Sequence, residues 1–267
     1  MKAAGGKVFF VGAGPGDPEL ITLKGRRIIE ESDVVIYADS LVNPEVCSYA
    51  RPGAEVHCSS SLTLEEIARL MIDAAAQGKS IARVHTGDPG IFGALAEQMD
   101  ILDQEGIPYE IIPGVSSIFA AAASLGIELT RPEVSQTVII TRLGGRTPVP
   151  ASERLNYLAQ HNCTLALFLS VALIDSVVEQ LLEGGYSAST PIAVVYRASW
   201  QDERTIIATL EDAVEKVRAA GIQRQALILV GEVLTKQAPG SQGPRSKLYD
   251  AGFAHGYRKP GKKNADG

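Results

Sequence analysis

Apolar residues run along this chain in two rhythms. Short unbroken runs such as Val8-Phe-Phe-Val11 and Val34-Val-Ile-Tyr37 alternate with stretches in which apolar positions recur every three or four residues. The first is the signature of a strand buried on both faces, the second of one helix face. The rhythm predicts strands at 7–11, 33–39, 54–58, 80–84 and 109–112, with helices at 22–32, 63–77, 94–104 and 116–125. Leu23, Ile28 and Ile29 carry the apolar stripe of the first helix. Thr63-Leu-Glu-Glu66 has the form of a capping box, and Gly78 is placed to stop the helix it opens. A second set follows Thr130-Arg-Pro132. Strands are expected at 137–141, 164–169, 192–196 and 226–230, a further one at 205–210, and helices at 152–160, 172–183 and 210–220.

Strand–helix alternation with short connections is the pattern of a mostly parallel sheet. The fold class read from it is α/β: two α/β domains, each with a mostly parallel or mixed sheet and flanking helices, and a ligand cleft between them. The domains are placed at 1–115 and 116–237. From 238 to 267 Gly, Pro, Ser and Lys dominate, which predicts a loose tail.

Composition narrows this frame. The 267 residues are 45% hydrophobic and 21% charged, enough for a substantial core. No apolar run is long enough to span a bilayer, and Met1 to Gly6 is too short and polar for a signal peptide. Cys47, Cys58 and Cys163 are odd in number and scattered, so no disulfide framework or zinc site is expected, and a reducing cytoplasm fits. The net charge of −6 argues against a partner bound through nucleic-acid phosphates. No membrane partner is expected.

The chemistry gathers where strands end. Four exits, Gly12–Asp17, Tyr37–Leu41, His85–Phe92 and Pro113–Ser117, are rich in small and polar residues. In an open α/β sheet such exits collect on one edge, where ligands bind. Val11-Gly-Ala-Gly-Pro-Gly-Asp17 resembles a dinucleotide turn, but a G-x-G-x-x-G spacing would need glycine at 17, where Asp17 stands. Asp17 reads as a helix cap with Pro18 at the first helical position, which suits a neutral or cationic ligand better than a phosphate. His85 with Asp88 is a candidate acid/base pair; the alternative is a strand-end histidine with a structural hydrogen bond. Arg83, Arg131, Arg142 and Arg146 are candidates to collect carboxylates, or are merely solvated. A nucleotide-dependent oxidoreductase and a non-catalytic ligand sensor stay open at this level.

Taken in order, these motifs together resemble the tetrapyrrole methyltransferase family. They are the glycine turn, Leu23-Lys-Gly25, Ala38-Asp-Ser-Leu-Val42, His85-Thr-Gly-Asp-Pro-Gly-Ile-Phe-Gly93, Ile112-Pro-Gly-Val-Ser-Ser117 and Tyr196-Arg-Ala-Ser-Trp200. Within the family, Ala38 to Val42, His85 to Asp88, Glu97-Gln-Met99 and the tail pieces Ser246 to Asp250 and His255 to Arg258 resemble the branch acting on precorrin-4. The uroporphyrinogen III branch carries an aspartate where Ala38 stands, so that residue's role does not transfer. The resemblance implies transfer of a methyl group from S-adenosylmethionine to C-11 of precorrin-4 or cobalt-precorrin-4 in cobalamin synthesis. A different precorrin position or uroporphyrinogen III is the alternative. It implies cofactor contacts at Pro15, Thr86, Gly87, Asp88, Ile91, Ser116, Ser117, Leu169 and Ala198, with Asp88 meeting ribose hydroxyls or the methionine ammonium and Leu169 facing adenine. It also implies a homodimer and no bound metal. Asp39, just beyond the second strand, is the candidate catalytic residue facing the tetrapyrrole. Its alternative is a cap for the segment that follows.

Overall fold

The computed structural model describes residues 6–145, 147–235, 246, 248 and 252–259. Arg146, Lys247, Tyr249 and Asp250, and most of the tail expected at 238–267, lie outside them. The chain packs as two compact units. The first takes the chain up to Leu125, with Val195–Thr205 and Gln223–Leu227; the second takes Gly126–Val194, Ile206–Ile222 and the described residues from Ile228 onward. The sequence placed its boundary at 115/116.

The first unit contains β1 (Lys7–Gly12), α1 (Leu23–Glu31), β2 (Val34–Tyr37), β3 (Glu55–Cys58), α2 (Leu64–Ala76), β4 (Ser80–His85), α3 (Leu95–Gln104), β5 (Tyr109–Ile112) and α4 (Ser117–Leu125). Its sheet runs β3-β2-β4-β1-β5, every pairing parallel. Alternation along each strand sends side chains to two separate cores. Val11, Val35, Ala82 and Val84 pack with Ile28 and Ile29 of α1. Val8, Phe10, Val34, Ile36 and Ile81 pack with Ile67 and Met71 of α2 and Leu102 of α3. A central strand such as β2 is buried at all four positions, which is why it reads as an unbroken apolar run.

Local chemistry fixes the helix ends. The Thr22 hydroxyl accepts the Gly25 amide at 3.0 Å and opens α1. The Thr63–Glu66 capping box forms in both directions, and Gly78, at φ +75°, ends α2's turn in the left-handed region. Leu23 corrects the expected stripe. It is 89% exposed, and α1 buries Gly25, Ile28 and Ile29 instead. Leu23 stands five and six residues before Ile28 and Ile29, so at 3.6 residues per turn it falls on a different side of the helix from the pair that packs.

The second sheet is ordered β6-β7-β10-β8-β9, from β6 (Val138–Arg142), β7 (Thr164–Phe168), β8 (Pro191–Tyr196), β9 (Arg204–Thr209) and β10 (Ala226–Val230). It is mixed: β6–β7 is parallel and β7–β10 antiparallel. Its helices are α5 (Leu155–Ala159), α6 (Ile174–Glu183) and α7 (Ala213–Ala219), each shorter than the periodicity predicts. The reasons are local. Arg154, extended at ψ 140°, separates α5 from a 3-10 turn at Ala151–Glu153. Asp212 accepts the Thr209 amide at 2.9 Å, so the chain turns there before α7 begins. In the tail, His255 and Arg258 pair backbone to backbone, and the Arg258 guanidinium donates to the Leu248 carbonyl at 2.7 Å.

Candidate functional site

Because the first sheet is parallel, the exits of β1, β2, β4 and β5 fall on one edge, as expected. Three of them are joined through backbone. The Ala13 amide donates to the His85 carbonyl at 2.8 Å, and Gly14 and Gly87 exchange amide–carbonyl bonds at 3.2 and 2.8 Å. A Cβ on Gly12 would stand 2.5 Å from the Gly114 Cα and 2.7 Å from the Gly87 carbonyl oxygen. One on Gly114 would overlap that same carbonyl. Glycine is required here because three backbones meet with no room for a side chain.

Asp88 braces this junction. Its Oδ1 accepts the Gly90 amide and its Oδ2 the Gly114 amide, both at 2.8 Å. A carboxylate has further lone pairs, so a ligand donor is still accommodated, but its first partners are two neighbouring loops. Thr86 is exposed and Ile91 half-buried on the same loop, and Gly87 lies beside Ser116 and Ser117, 3.7 Å from the Ser116 Cα to a Cβ built on it. Ser116 is buried at the start of α4.

The glycine turn is held from a second direction. Pro15 is buried and its carbonyl accepts the Trp200 indole N–H at 3.0 Å; the Asp17 amide donates to the Ser199 hydroxyl at 3.0 Å. Asp17 is a cap, as read from sequence, accepting the Glu19 amide at 2.9 Å. It caps only a 3-10 turn, Pro18–Leu20, ahead of α1. Ala198 is 5% exposed between Arg197 and Ser199, both left-handed at φ +48° and +69°. Pro15, Thr86, Gly87, Asp88, Ile91, Ser116, Ser117 and Ala198 all belong to the first unit. Leu169 belongs to the second, at the exit of β7, 69% exposed and left-handed at φ +53°.

Asp39 is exposed just beyond β2. Its Oδ1 accepts the Ser60 amide at 3.0 Å, and the Ser60 hydroxyl and then the amide hold its carboxyl below the usual range. The capping partner is therefore the loop after β3, not the segment from Leu41 onward.

The candidate His85–Asp88 acid/base pair does not form: the Asp88 carboxylate is bonded to the Gly90 and Gly114 amides, and no hydrogen bond or ion pair joins it to His85. His85 is 7% exposed, its ring centroid is 5.9 Å from that of Phe10, and its Nε2 has no hydrogen-bond partner. Burial, reinforced by the Arg83 charge, pulls its pKa down to about 3, so the imidazole is neutral at physiological pH. Arg83 itself is buried, its pKa pulled to about 10, and it binds Gln98 of α3, the Ser59 hydroxyl and the Ile36 carbonyl at 3.0–3.3 Å. Arg131 and Arg142, in the second unit, donate to backbone carbonyls there. Sequence reasoning missed the parts played by Gly114, Ser199 and Trp200. The last two were visible only as members of a motif, because their partners lie 182 and 185 residues away.

Against known proteins, the family model for tetrapyrrole (corrin/porphyrin) methylases matches residues 7–214. A cobalt-precorrin-4 C(11)-methyltransferase of Methanocaldococcus jannaschii is 57% identical over 257 residues, 96% of this chain and 98% of that protein. An X-ray structure of a cobalamin biosynthetic enzyme, cobalt precorrin-4 methyltransferase, superposes with a TM-score of 0.84 at 49% identity, covering 86% of this chain and 96% of that one. The uroporphyrin-III C-methyl transferase of Thermus thermophilus, solved in complex with S-adenyl homocysteine, gives 0.72 at 33% identity over 85% of this chain and 98% of that one. With a family model covering most of the chain and a relative matched nearly end to end, this chain belongs to the tetrapyrrole (corrin/porphyrin) methylases.

Proposed function

We propose that this chain is an S-adenosylmethionine-dependent methyltransferase acting on C-11 of precorrin-4 or cobalt-precorrin-4 in cobalamin synthesis. The observation that carries the reading is the 57% identity, over 96% of the chain, to a protein of that activity. The glycine turn supplies a physical argument of its own. A pyrophosphate needs free backbone amides at the strand exit. Here the Ala13, Gly14 and Asp17 amides are engaged by His85, Gly87 and Ser199, and the Asp17 carboxylate caps the next turn. What remains is a small-residue turn with Asp17 at its end and Asp88 on the loop joined to it, which favours a cation without phosphates over a dinucleotide.

S-adenosylmethionine supplies an electrophilic methyl on a sulfonium centre and leaves as a neutral thioether, so no acid is needed for departure. The chain's work is positioning: the ring carbon must be held about 3–3.5 Å from the methyl group. Pro15, Thr86, Gly87, Asp88, Ile91, Ser116, Ser117, Ala198 and Leu169 are the residues we assign to holding the cofactor; the glycine junction fixes the backbone at Gly87 itself. Asp39, exposed and with its carboxyl held below the usual range by Ser60, is the group we assign to positive charge developing on the macrocycle. His85, neutral and buried, is not assigned a proton-transfer step.

The homodimer and a cytoplasmic location belong to the same proposal. Among the described residues no helix is long and apolar enough to cross a membrane. Leu23, Ile111 and Phe119 are exposed apolar side chains available to a second copy. A monomer mass by light scattering at micromolar concentration counts against the dimer. For the activity, the chain is incubated with precorrin-4 and with cobalt-precorrin-4 and the labelled methyl is located. Transfer to C-11 is expected; transfer elsewhere, or tight binding of a nicotinamide cofactor in place of S-adenosylhomocysteine, overturns the reading.

A further inference from the structure

Trp200 is the only tryptophan of the chain, and it lies beneath the glycine turn. Its indole N–H donates to the Pro15 carbonyl at 3.0 Å. A Cβ on Gly16 would fall inside the indole, with Cδ1, Nε1 and Cγ as its nearest neighbours. The ring and the turn are thus complementary in shape and in hydrogen bonding at once. The Arg197 guanidinium stacks over the ring, 3.8 Å from the centroid, and is paired with Asp202.

The segment that presents the indole is itself strained and braced. Arg197 and Ser199 hold left-handed backbone without being glycine, a conformation that persists only when surrounding contacts dictate it. Those contacts are present. The Arg197 amide donates to the Gln225 carbonyl at 2.8 Å, the Ser199 amide to Glu203 Oε2 at 2.6 Å, and the same carboxylate accepts the Ser124 hydroxyl of α4 at 2.9 Å. Gln225 in turn donates to the Ser40 carbonyl at 2.6 Å, beside Asp39. A strained loop fastened at four points, with its one large ring under the turn, is built to fix the position of that turn.

From this we infer that Trp200 is a positioning residue for the methyl-donor site: it sets the backbone of Pro15 and Gly16 and acts on the cofactor through them. The inference rests on the proposed S-adenosylmethionine reading and deepens it. Losing one such hydrogen bond while a ring still fills the space should weaken cofactor binding by about fivefold. Binding of the tetrapyrrole should be untouched.

The experiment measures S-adenosylhomocysteine affinity by calorimetry for the wild-type chain, Trp200→Phe, Gly16→Ala, Trp200→Ala and the double variant Gly16→Ala/Trp200→Ala, with steady-state constants for both substrates. The wild-type titration is also followed by the emission of Trp200. Expected are a Kd and a KM for S-adenosylmethionine raised about fivefold in Trp200→Phe, an unchanged KM for the tetrapyrrole, and a change in emission on binding. Gly16→Ala should weaken binding in the presence of the indole and have a smaller effect in its absence, where the methyl has room. That coupling is a readout which a general loss of stability does not produce. A wild-type Kd in Trp200→Phe, or equal effects of Gly16→Ala in the two backgrounds, overturns the inference while leaving the proposed activity standing. No S-adenosylhomocysteine binding by the wild-type chain overturns both.

Discussion

The two ends of the first sheet's carboxyl edge, where its strands exit, are built differently. At the exits of β1, β4 and β5, three loops share backbone contacts at Gly12, Gly87 and Gly114, and Asp88 ties the junction with both carboxylate oxygens. At the exits of β2 and β3, Asp39 is exposed and reaches across to the amide and hydroxyl of Ser60. Two aspartates that follow strands of one sheet therefore have different partners. One is bonded to the amides of two loops; the other is exposed to solvent with Ser60 as its partner. A methyl donor that must be presented at a fixed distance suits the first arrangement, and a bulky, charged second substrate suits the second.

The comparison breaks most decisively at Gly114. Gly114→Ala forces a methyl group against the Gly87 carbonyl and should destabilise the fold by about 3 kcal/mol while abolishing cofactor binding. Urea unfolding and calorimetry read the two effects. Asp88→Arg reverses the charge and removes both loop bonds; we expect at least a hundredfold loss of S-adenosylhomocysteine affinity and about 2–4 kcal/mol of stability. A folded variant with normal affinity would show that the junction holds without its brace. Asp39→Asn keeps the Ser60 bond and the shape. It should slow single-turnover methylation roughly tenfold with cofactor affinity within about twofold, because in the proposed role the charge counts only toward the transition state. A normal rate would reduce Asp39 to a cap.

His85, buried beneath the rigid exit, sharpens the contrast through pH. Its pKa falls from about 6.5 in the unfolded chain to about 3 in the fold, so in that interval only the unfolded chain binds the proton. Stability is therefore full above about pH 6.5 and declines as pH falls toward 3, by at most about 1.4 kcal/mol per pH unit. Unfolding curves at pH 5 and 7 should show this slope in the wild type and lose it in His85→Gln, above the range where carboxylates titrate. The smallest effect belongs to Ser60→Ala. Asp39's depressed pKa means its contribution is present above its unfolded pKa and lost as pH falls through the folded one. Removing the Ser60 hydroxyl should raise the Asp39 pKa toward its ordinary value, read by NMR titration, with little change in stability because the group is exposed.

Much of this was legible in the residues. Unbroken apolar runs marked central strands such as β2, β8 and β10, because a strand buried on two faces has no polar side to show, whereas the edge strands β3 and β9 carry polar and exposed positions. Thr63–Glu66, Gly78 and the Asp17-Pro18 cap were readable because capping is a contact between residues two or three apart. The fold class and the gathering of Gly12, Thr86, Asp88 and Ser116 on one edge followed from strand–helix alternation. The second-unit helices were drawn too long because periodicity does not register a turn such as Thr209–Asp212, which a single side chain imposes.

What the sequence by itself determined about this protein is therefore the order of its elements, the edge where its chemistry collects and, through motifs, its family. The tertiary structure decided the roles. Asp88 faces two loop amides, His85 is neutral for want of solvent and beside Arg83, Asp39 reaches to Ser60, and Trp200 lies under a turn 185 residues earlier. Each of these depends on which neighbours and how much water surround a group once the chain has closed. That is a property of packing in three dimensions, and no spacing along the chain encodes it.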